Sequence, residues 1–198
     1  MKFTTISGAI LAGGKSTRLG KDKALLLLQG KTFMDHLIAA LGSVVEEVVI
    51  VADDAQRYAS FGVPVVPDVF SESGPLGGIH SALTHSQASA VFVVSCDQPL
   101  LTPEIIREVI ALAGPEPATV LGDIGRSHTL IGLFKKECLP ILEGLLQSRK
   151  RKFREFLHES TARLVSPEEI RSSDLSHLLV NVNTAEDYAA LLRLFPSR

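Results

Sequence analysis

The chain has 198 residues, of which 45% are hydrophobic and 21% are charged, and its formal net charge is −2. This length and composition exclude a disordered chain and a small disulfide-stapled scaffold, because enough apolar surface is available to form a core without cross-links. The slightly negative charge gives no general attraction to polyanions, so we expect neither a nucleic acid nor a membrane surface as a partner.

Strands and helices alternate through the first part of the chain. Apolar runs rich in β-branched residues predict strands over 3–11, 47–52, 63–66 and 90–96. Helices are predicted over 33–41, over 76–85 just after Gly74-Pro75, and after Thr102, a candidate N-cap. This alternation indicates βαβ units and a mostly parallel sheet that is covered on both faces.

After Gly114 the alternation is less regular. Strands are predicted over 118–121, 129–134 and 178–182, and helices over 137–146 and 153–158. Thr184 is a candidate cap for a last helix with Leu191, Leu192 and Phe195 on one side. The predicted fold is a three-layer α/β/α sandwich with a Rossmann-like, mostly parallel sheet. Ligands of such sheets bind beyond the carboxyl ends of the strands.

The first predicted strand leads into a basic, glycine-rich segment, LAGGKSTRLGKDK, at residues 11–23. Glycines let backbone N–H groups approach an anion closely, and the cations offset phosphate charge, so the segment predicts a phosphate-binding loop. An ordinary β–α turn with exposed lysines is the plainer alternative. A Walker A loop fits less well, because Ala9 stands where its first glycine belongs and Gly20 interrupts the helix expected after Lys15.

The strand over 90–96 is followed by Asp97, Gln98 and Pro99. A carboxylate at the end of a central strand suits Mg²⁺, which commonly binds one or two carboxylates together with substrate phosphates and water. The alternative is an aspartate that caps the turn before the next helix. The pairing with a phosphate loop favours the metal ligand.

The motif GPLGGI, at residues 74–79, places two adjacent glycines at a helix start. They allow a flat ligand such as a base or a ribose to approach the backbone, although tight packing of a helix explains them equally well. Asp68, just before this motif, has a carboxylate that could accept from guanine N1–H and N2–H₂, or it could be a surface acid.

Asn181 lies near the end of the strand predicted over 178–182, and Asn183 follows that strand directly. The period of two in a strand places both amides on one face, where they could meet ribose oxygens, phosphate oxygens or a hydrated metal. A turn residue before the Thr184 cap is the alternative for Asn183.

Two cysteines, Cys96 and Cys138, lie far apart without metal-type spacing, which is typical of a reducing compartment and predicts a cytoplasmic location. Cys96 is interpreted as a buried strand residue rather than a nucleophile. A basic cluster over residues 149–154 is interpreted as a solvated face.

Taken together, these segments resemble the nucleotidyltransferase family of molybdenum cofactor guanylyltransferases (MobA). The signature LAGG-x-S-x-R-x-G-x-DK is complete over residues 11–23, and GPLGGI, CDxP and NxNT follow in order at 74–79, 96–99 and 181–184. Two positions depart from the family pattern: Asp53 stands where members often carry asparagine, and His128-Thr129 replaces a histidine-proline step.

The resemblance implies a single nucleotidyltransferase domain over 1–198, with a nucleotide-binding half at 1–113 and an acceptor-side half at 114–198. The implied reaction is Mg²⁺-dependent transfer of GMP from GTP to molybdopterin or Mo-molybdopterin, giving molybdopterin guanine dinucleotide and pyrophosphate. Molybdenum-cofactor assembly proteins are implied partners. The alternatives are a sister cytidylyl- or sugar-nucleotidyltransferase, a non-enzymatic GTP-binding module and a P-loop NTPase.

The resemblance also implies a role for each site residue. The nucleotide would be held by Leu11, Ala12, Gly13 and Gly14. Arg18 and Lys23 would act on its phosphates, and Asp97 would ligate Mg²⁺, which makes these three the expected catalytic residues. Asp68 and Gly78 would lie on the guanine side, and Asn181 and Asn183 on the acceptor side.

Overall fold

The computed structural model describes residues 5–12, 22–122, 130–171 and 182–196. Nine strands lie within these ranges: β1 (Ile6–Leu11), β2 (Leu27–Leu28), β3 (Lys31–Thr32), β4 (Val48–Val51), β5 (Val65–Val66), β6 (Ala90–Ser95), β7 (Ala118–Leu121), β8 (Ile131–Lys135) and β9 (Arg163–Val165). Seven of them form one sheet in the order β5-β4-β1-β6-β8-β7-β9, and β2 pairs with β3 in a separate ribbon.

The sheet is mostly parallel, as predicted. β1 lies between β4 and β6 and is parallel to both, and β5 is parallel to β4. β8 runs antiparallel to its neighbours β6 and β7, and β9 is again parallel to β7. In this register Leu11 lies beside both Val51 and Ser95, so the carboxyl ends of three parallel strands meet at one edge.

Helices cover both faces of the sheet, which confirms the three-layer α/β/α prediction. The α-helices are α1 (Phe33–Gly42), α2 (Ala55–Tyr58), α3 (Gly74–His85), α4 (Pro103–Ala111), α5 (Cys138–Gln147), α6 (Phe153–Glu159) and α7 (Ala185–Leu194). Side chains alternate along each strand, so Ile10 joins the core beneath α1 and α4, whereas Ala9 and Leu11 join the core beneath α3, α5 and α6.

A third, smaller core lies beside the β2–β3 ribbon. Leu28 and Phe33 pack there with Val182 and Leu191, so this core joins the early ribbon to the last helix. Leu192 and Phe195 pack against the same core, which confirms the predicted apolar side of α7. The packing holds the chain just before α7 near the carboxyl edge of the large sheet, where the backbone N–H of Val182 donates to the carbonyl of Asp97 at 3.4 Å.

The helix starts follow local capping chemistry. Thr102 caps α4 by accepting from the backbone N–H of Ile105, and Thr184 caps α7 in a box completed by Asp187, which confirms both candidate caps. Helix α3 begins at Gly74, two residues earlier than predicted, because Pro75 fits the first turn, where no N–H is needed.

Four features were not predicted: the antiparallel direction of β8, the strand β9, the helix α2 and the β2–β3 ribbon. Of the strand predicted over 178–182, residues 178–181 lie outside the described residues, and Val182 is not in a strand. No helix in the described part of the chain is both long and apolar enough to span a membrane.

Candidate active site

The candidate site lies at the carboxyl edge of the large sheet, where β1, β4 and β6 end together. Backbone hydrogen bonds continue past the strand ends: Ala12 N–H donates to Val51 O at 3.0 Å, and Cys96 N–H donates to Leu11 O at 3.1 Å. The residues that follow β1 and β6 are therefore held side by side. This is the edge at which open parallel sheets bind ligands.

Asp97 lies in the turn that follows β6, and its two carboxylate oxygens differ. Oδ2 lies 3.9 Å from the Lys23 Nζ, and both side chains are only 17% exposed. Oδ1 is buried and has no hydrogen-bond partner in the described structure. The alternative, an aspartate that caps the turn before α4, is not seen: Asp97 lies in that turn, but no backbone N–H among the described residues donates to its Oδ1, and Oδ2 faces Lys23.

Lys23 connects the glycine-rich segment to the last part of the chain. It begins a short 3-10 helix, and the Asp22 side chain caps that helix by accepting from the backbone N–H of Ala24. The Lys23 Nζ donates to Asn183 Oδ1 at 2.6 Å, across 160 positions in sequence. The structure therefore brings together three predicted site residues, Lys23, Asp97 and Asn183.

Asn183 is positioned by the start of α7. Its backbone N–H donates to the Asp187 carboxylate at 2.9 Å, and the N–H of Thr184 donates to the same oxygen at 2.8 Å. These hydrogen bonds, with that from the Thr184 hydroxyl, hold the pKa of Asp187 below its ordinary value. Thr184 is thus the cap, as the alternative reading had it, but Asn183 is not in a turn, and its side chain reaches Lys23.

Asp68 follows β5 at the outer part of the same edge. Its Oδ1 is buried without a hydrogen-bond partner among the described residues. Burial is the main cause that raises the pKa of Asp68 above its ordinary value, and the nearby negative charge of Asp53 adds to the shift. Asp53 itself is exposed. Asp68 is therefore a half-buried carboxylate with one unmet oxygen, and not a fully solvated surface acid.

The two glycines of α3 are both explained by close packing. A Cβ on Gly78 would lie 2.8 Å from a methyl carbon of Leu11, the last residue of β1. A Cβ on Gly77 would lie 2.9 Å from both the Phe70 carbonyl oxygen and Ser73 Cβ. The packing alternative therefore accounts for these positions, and Gly78 affects the site by letting α3 approach Leu11.

Two groups at this edge were not singled out in the sequence. Gln98 is 1% exposed, and neither its amide oxygen nor its amide nitrogen has a partner within the described ranges. The Tyr58 hydroxyl donates to Asp22 Oδ2 at 2.7 Å and lies 3.3 Å from the carbonyl of Ala12. Gln98 could have been noticed as the variable position of CDxP, but Tyr58 has no local sequence signal.

Cys96 is unsuited to act as a nucleophile. It is buried beyond the end of β6, and burial together with the neighbouring Asp97 charge raises the pKa of its thiol to about 12. The thiol is therefore protonated at neutral pH. Both Cys96 and Cys138 are free cysteines.

The basic cluster over 149–154 is partly used in local contacts. Lys150 pairs with Glu159 at 3.0 Å, and an Arg151 guanidinium nitrogen donates to the carbonyl of Glu72 at 2.8 Å. The second contact anchors the cluster to the segment just before α3. The remaining basic side chains of the cluster are exposed, as predicted for a solvated face.

Several predicted site residues lie outside the described residues. They are Gly13, Gly14, Arg18 and Asn181, and the same holds for His128. In the described part of the chain, no three His, Cys, Asp or Glu side chains converge as a metal site would require. Asp97 is the described carboxylate beside Lys23 and Asn183, and a single carboxylate is enough for Mg²⁺ when substrate and water supply other ligands.

Comparisons with known proteins agree with this fold. A family model described as the MobA-like NTP transferase domain matches residues 8–164. A relative from Carboxydothermus hydrogenoformans, named "probable molybdenum cofactor guanylyltransferase", is 37% identical over 188 residues, which cover 94% of this chain and 95% of the relative.

Solved structures give the same fold. The crystal structure of a protein from Aquifex aeolicus VF5 is 34% identical, with a TM-score of 0.75 and coverage of 90% of this chain and 93% of that one. A molybdopterin-guanine dinucleotide biosynthesis protein A from Archaeoglobus fulgidus has a TM-score of 0.81 at 20% identity, covering 95% and 97% of the two chains. The second likeness concerns the fold alone. The family match and the 37% identical relative show that this chain belongs to the MobA-like NTP transferase family, a family of nucleotidyltransferases.

Proposed function

We propose that the chain transfers GMP from GTP to the terminal phosphate of molybdopterin or Mo-molybdopterin and releases pyrophosphate. The observation that carries this proposal is the meeting of Lys23, Asp97 and Asn183 at the carboxyl edge, where Asp97 Oδ1 is buried and has no partner among the described residues. A cation can offset the charge of a triphosphate, and a carboxylate can ligate its metal. The family relationship supports the same chemistry.

The reaction needs no covalent enzyme intermediate. An oxygen of the acceptor phosphate attacks the α-phosphorus of GTP in line, a new P–O bond forms, and the bond to the departing pyrophosphate breaks. Lys23 offsets the negative charge that develops on the phosphates, and Arg18 is assigned the same task from the sequence motif. Positioning and electrostatic stabilisation supply most of the rate, as is usual in phosphoryl transfer.

The Asp97 carboxylate fits Mg²⁺. A buried, unpaired carboxylate oxygen is a hard anionic ligand, and Mg²⁺ is commonly held by one or two carboxylates while phosphates and water complete its shell. Mg²⁺ bound there would polarise the phosphoryl oxygens of the nucleotide. Lys23 lies near the other carboxylate oxygen, so Asp97 is held between a fixed positive charge and the proposed metal position.

We assign the guanine side to Asp68 and the acceptor side to Asn183 and Asn181. The open oxygen of Asp68 can accept from guanine, which presents two adjacent N–H donors. Gly78 contributes indirectly, by allowing α3 to pack on Leu11. On this assignment residues 1–113 bind the nucleotide and residues 114–198 carry the acceptor side, in one domain. The proposed location is the cytoplasm, where assembly proteins would supply the molybdopterin substrate.

Nucleotide selectivity tests the proposal directly. Calorimetric titrations with GTP, CTP, ATP and UTP in the presence of Mg²⁺ should show a clear preference for GTP. The Asp68→Asn variant tests the guanine contact, because it keeps the size of the side chain and removes its charge. It should lose much of the preference for GTP over ATP. Preference for CTP or UTP would transfer the proposal to a sister nucleotidyltransferase, and absence of binding to any nucleotide would refute the phosphate-binding assignment.

The two lysines at the end of the glycine-rich segment test the mechanism. Lys23→Ala should lower kcat/KM more than Lys21→Ala, because Lys23 lies beside Asp97 and Asn183. Pyrophosphate release with GTP and molybdopterin measures both variants. Indistinguishable rates for the two would contradict the role given to Lys23.

A further inference from the structure

The Tyr58 hydroxyl links helix α2 to both described ends of the glycine-rich segment. Tyr58 is the last residue of α2 and is only 2% exposed. Its hydroxyl donates to Asp22 Oδ2 at 2.7 Å, and it lies 3.3 Å from the carbonyl oxygen of Ala12. Ala12 follows β1, and Asp22 immediately precedes Lys23. One buried side chain thus contacts Ala12, near the start of the glycine-rich segment, and Asp22, near its end.

The Asp22 carboxylate is fixed at both of its oxygens. Oδ1 accepts from the backbone N–H of Ala24, which is fully buried, and so caps the 3-10 helix that begins at Lys23. Oδ2 accepts from the Tyr58 hydroxyl and lies 3.3 Å from Arg57, whose side chain is 51% exposed. Because exposed ion pairs contribute little, the Tyr58 hydroxyl is the main restraint on Oδ2.

Tyr58 remains a hydrogen-bond donor at neutral pH. Burial first, and then the hydrogen bond to Asp22, raises its pKa above the ordinary tyrosine value. The hydrogen bond to a carboxylate is of the charge-assisted kind, which is shorter and stronger than a neutral one. It therefore restrains Asp22, and with it the start of the 3-10 helix from which Lys23 reaches Asn183.

We infer that Tyr58 is a positioning residue for the Lys23 ammonium and acts through Asp22. Among the described residues, the Tyr58 hydroxyl contacts Asp22 and Ala12, and it fixes the carboxylate that caps the helix carrying Lys23. Loss of the hydroxyl leaves Asp22 with its bond to Ala24 and the exposed Arg57, so Lys23 samples more positions. The inference rests on the proposed function, since it assigns Lys23 to the nucleotide phosphates.

The experiment compares two tyrosine-to-phenylalanine variants. Tyr58→Phe removes the hydroxyl and keeps the ring, and we expect kcat/KM for GTP to fall about tenfold, the size expected for one charge-assisted hydrogen bond. Tyr188→Phe is the matched control, because Tyr188 is the other tyrosine and its hydroxyl donates to a backbone carbonyl, that of Leu27, at 2.7 Å. It should stay within about twofold of the wild type.

A double-mutant cycle separates positioning from general stability. If Tyr58 acts through Lys23, adding Tyr58→Phe to Lys23→Ala should change kcat/KM by less than about twofold, because the group being positioned is already gone. Adding Tyr58→Phe to Asp22→Asn should likewise have little further effect. Where Lys23→Ala leaves too little turnover to measure, the cycle is completed on GTP affinity by calorimetry.

The outcomes are distinct. A Tyr58→Phe variant with wild-type kcat/KM would overturn the inference and leave the proposed function intact, since the wild type would still bind GTP and release pyrophosphate. Full additivity with Lys23→Ala would also overturn it, because it would make the hydroxyl merely structural. A wild type that binds no GTP would instead refute the proposed function, on which Lys23 was given its task.

Discussion

Replacing Asp97 by asparagine should separate activity from stability. The variant keeps the side-chain size and removes the charge that faces Lys23 at 3.9 Å. Asp97 Oδ1 has no hydrogen bond to lose within the described residues. A pair at this distance and partial exposure is worth about 0–1 kcal/mol net, so the free energy of unfolding should change by less than about 1 kcal/mol.

The expected loss of activity is much larger. If Asp97 is the protein ligand of the metal, its removal takes away charge stabilisation worth about 4 kcal/mol, roughly a thousandfold in kcat/KM. Urea unfolding tests the expected stability, and pyrophosphate release with excess Mg²⁺ tests the expected loss of activity, both on the same preparation. A role in capping the turn before α4 would give the reverse pattern, with about 0.5–1.5 kcal/mol of stability lost and turnover kept.

Asp35 provides the matched control for a structural carboxylate. It completes the capping box of α1, in which Oδ2 accepts from the Thr32 N–H at 2.9 Å and from the Thr32 hydroxyl at 2.6 Å. Asp35→Ala should therefore cost about 1 kcal/mol of stability while leaving turnover unchanged. The reasoning would be refuted by an Asp97→Asn variant that keeps more than about a tenth of its turnover, or that loses as much stability as Asp35→Ala.

Three further predictions concern packing, thiols and pH. Gly77→Ala should lose about 1–2 kcal/mol of stability in urea unfolding, because its Cβ would lie 2.9 Å from a carbonyl oxygen. Gly144→Ala, whose Cβ would have nothing within 4 Å, should gain about 0.5–1 kcal/mol. The opposite signs for the two variants would contradict this. Burial raises the pKa of both Cys96 and Cys138 to about 12. A thiol reagent at about pH 8 should therefore label neither cysteine in the native protein and both in denaturant. Rapid labelling of the native protein would show the burial to be wrong. The pKa of Asp68 is raised in the folded state, so the free energy of unfolding falls as pH rises through the window between the unfolded pKa of 3.8 and the folded pKa. Asp68→Asn should therefore stabilise the protein at neutral pH. An equal gain in stability below pH 3.8 would contradict the raised pKa as the cause.

Local patterns predicted the elements whose signal lies within one segment. The helix predicted over 33–41 is α1, the strand over 118–121 is β7, and the Thr102 and Thr184 caps are present. These features depend on apolar period and capping chemistry, which neighbouring residues determine. The mostly parallel sheet followed from the alternation of these elements.

Features that depend on distant partners were not predicted. β9 has three residues, and it is a strand because β7 pairs with it across more than forty positions. The direction of β8 is set by its place between β6 and β7, which the alternation of the earlier elements does not specify. Short strands of this kind carry too few residues for a periodic pattern to show.

The site was predicted as a set of motifs, and its internal contacts were not. Lys23 and Asn183 could each be recognised in the sequence, but their 2.6 Å hydrogen bond depends on the third core, which packs α7 on the β2–β3 ribbon. Gly78 was assigned to the guanine side, and the structure explains it by its approach to Leu11. Tyr58 could not have been found, because a tyrosine ending a four-residue helix has no pattern that indicates its partner.

The acidic side chains divide according to whether the protein satisfies their oxygens. Asp22, Asp35 and Asp187 each accept hydrogen bonds from backbone amides at helix starts, so capping accounts for them. Asp68 and Asp97 each keep a buried oxygen without a partner in the described ranges, at a cost of about 1–3 kcal/mol for each such group.

An unmet oxygen alone does not identify a site. Glu116 also has a buried oxygen without a partner in the described ranges, but it precedes β7. Both β7 and β6 are antiparallel to β8, so β7 runs in the same direction as β6 and its amino end lies at the opposite edge. Asp68, Asp97 and Gln98 all follow strands at the carboxyl edge, where open parallel sheets receive their ligands. Position and unmet hydrogen bonding together support the proposal that these three groups meet the ligand, and Gln98 joins Asp68 and Asp97 as a buried polar group at this edge with no partner among the described residues.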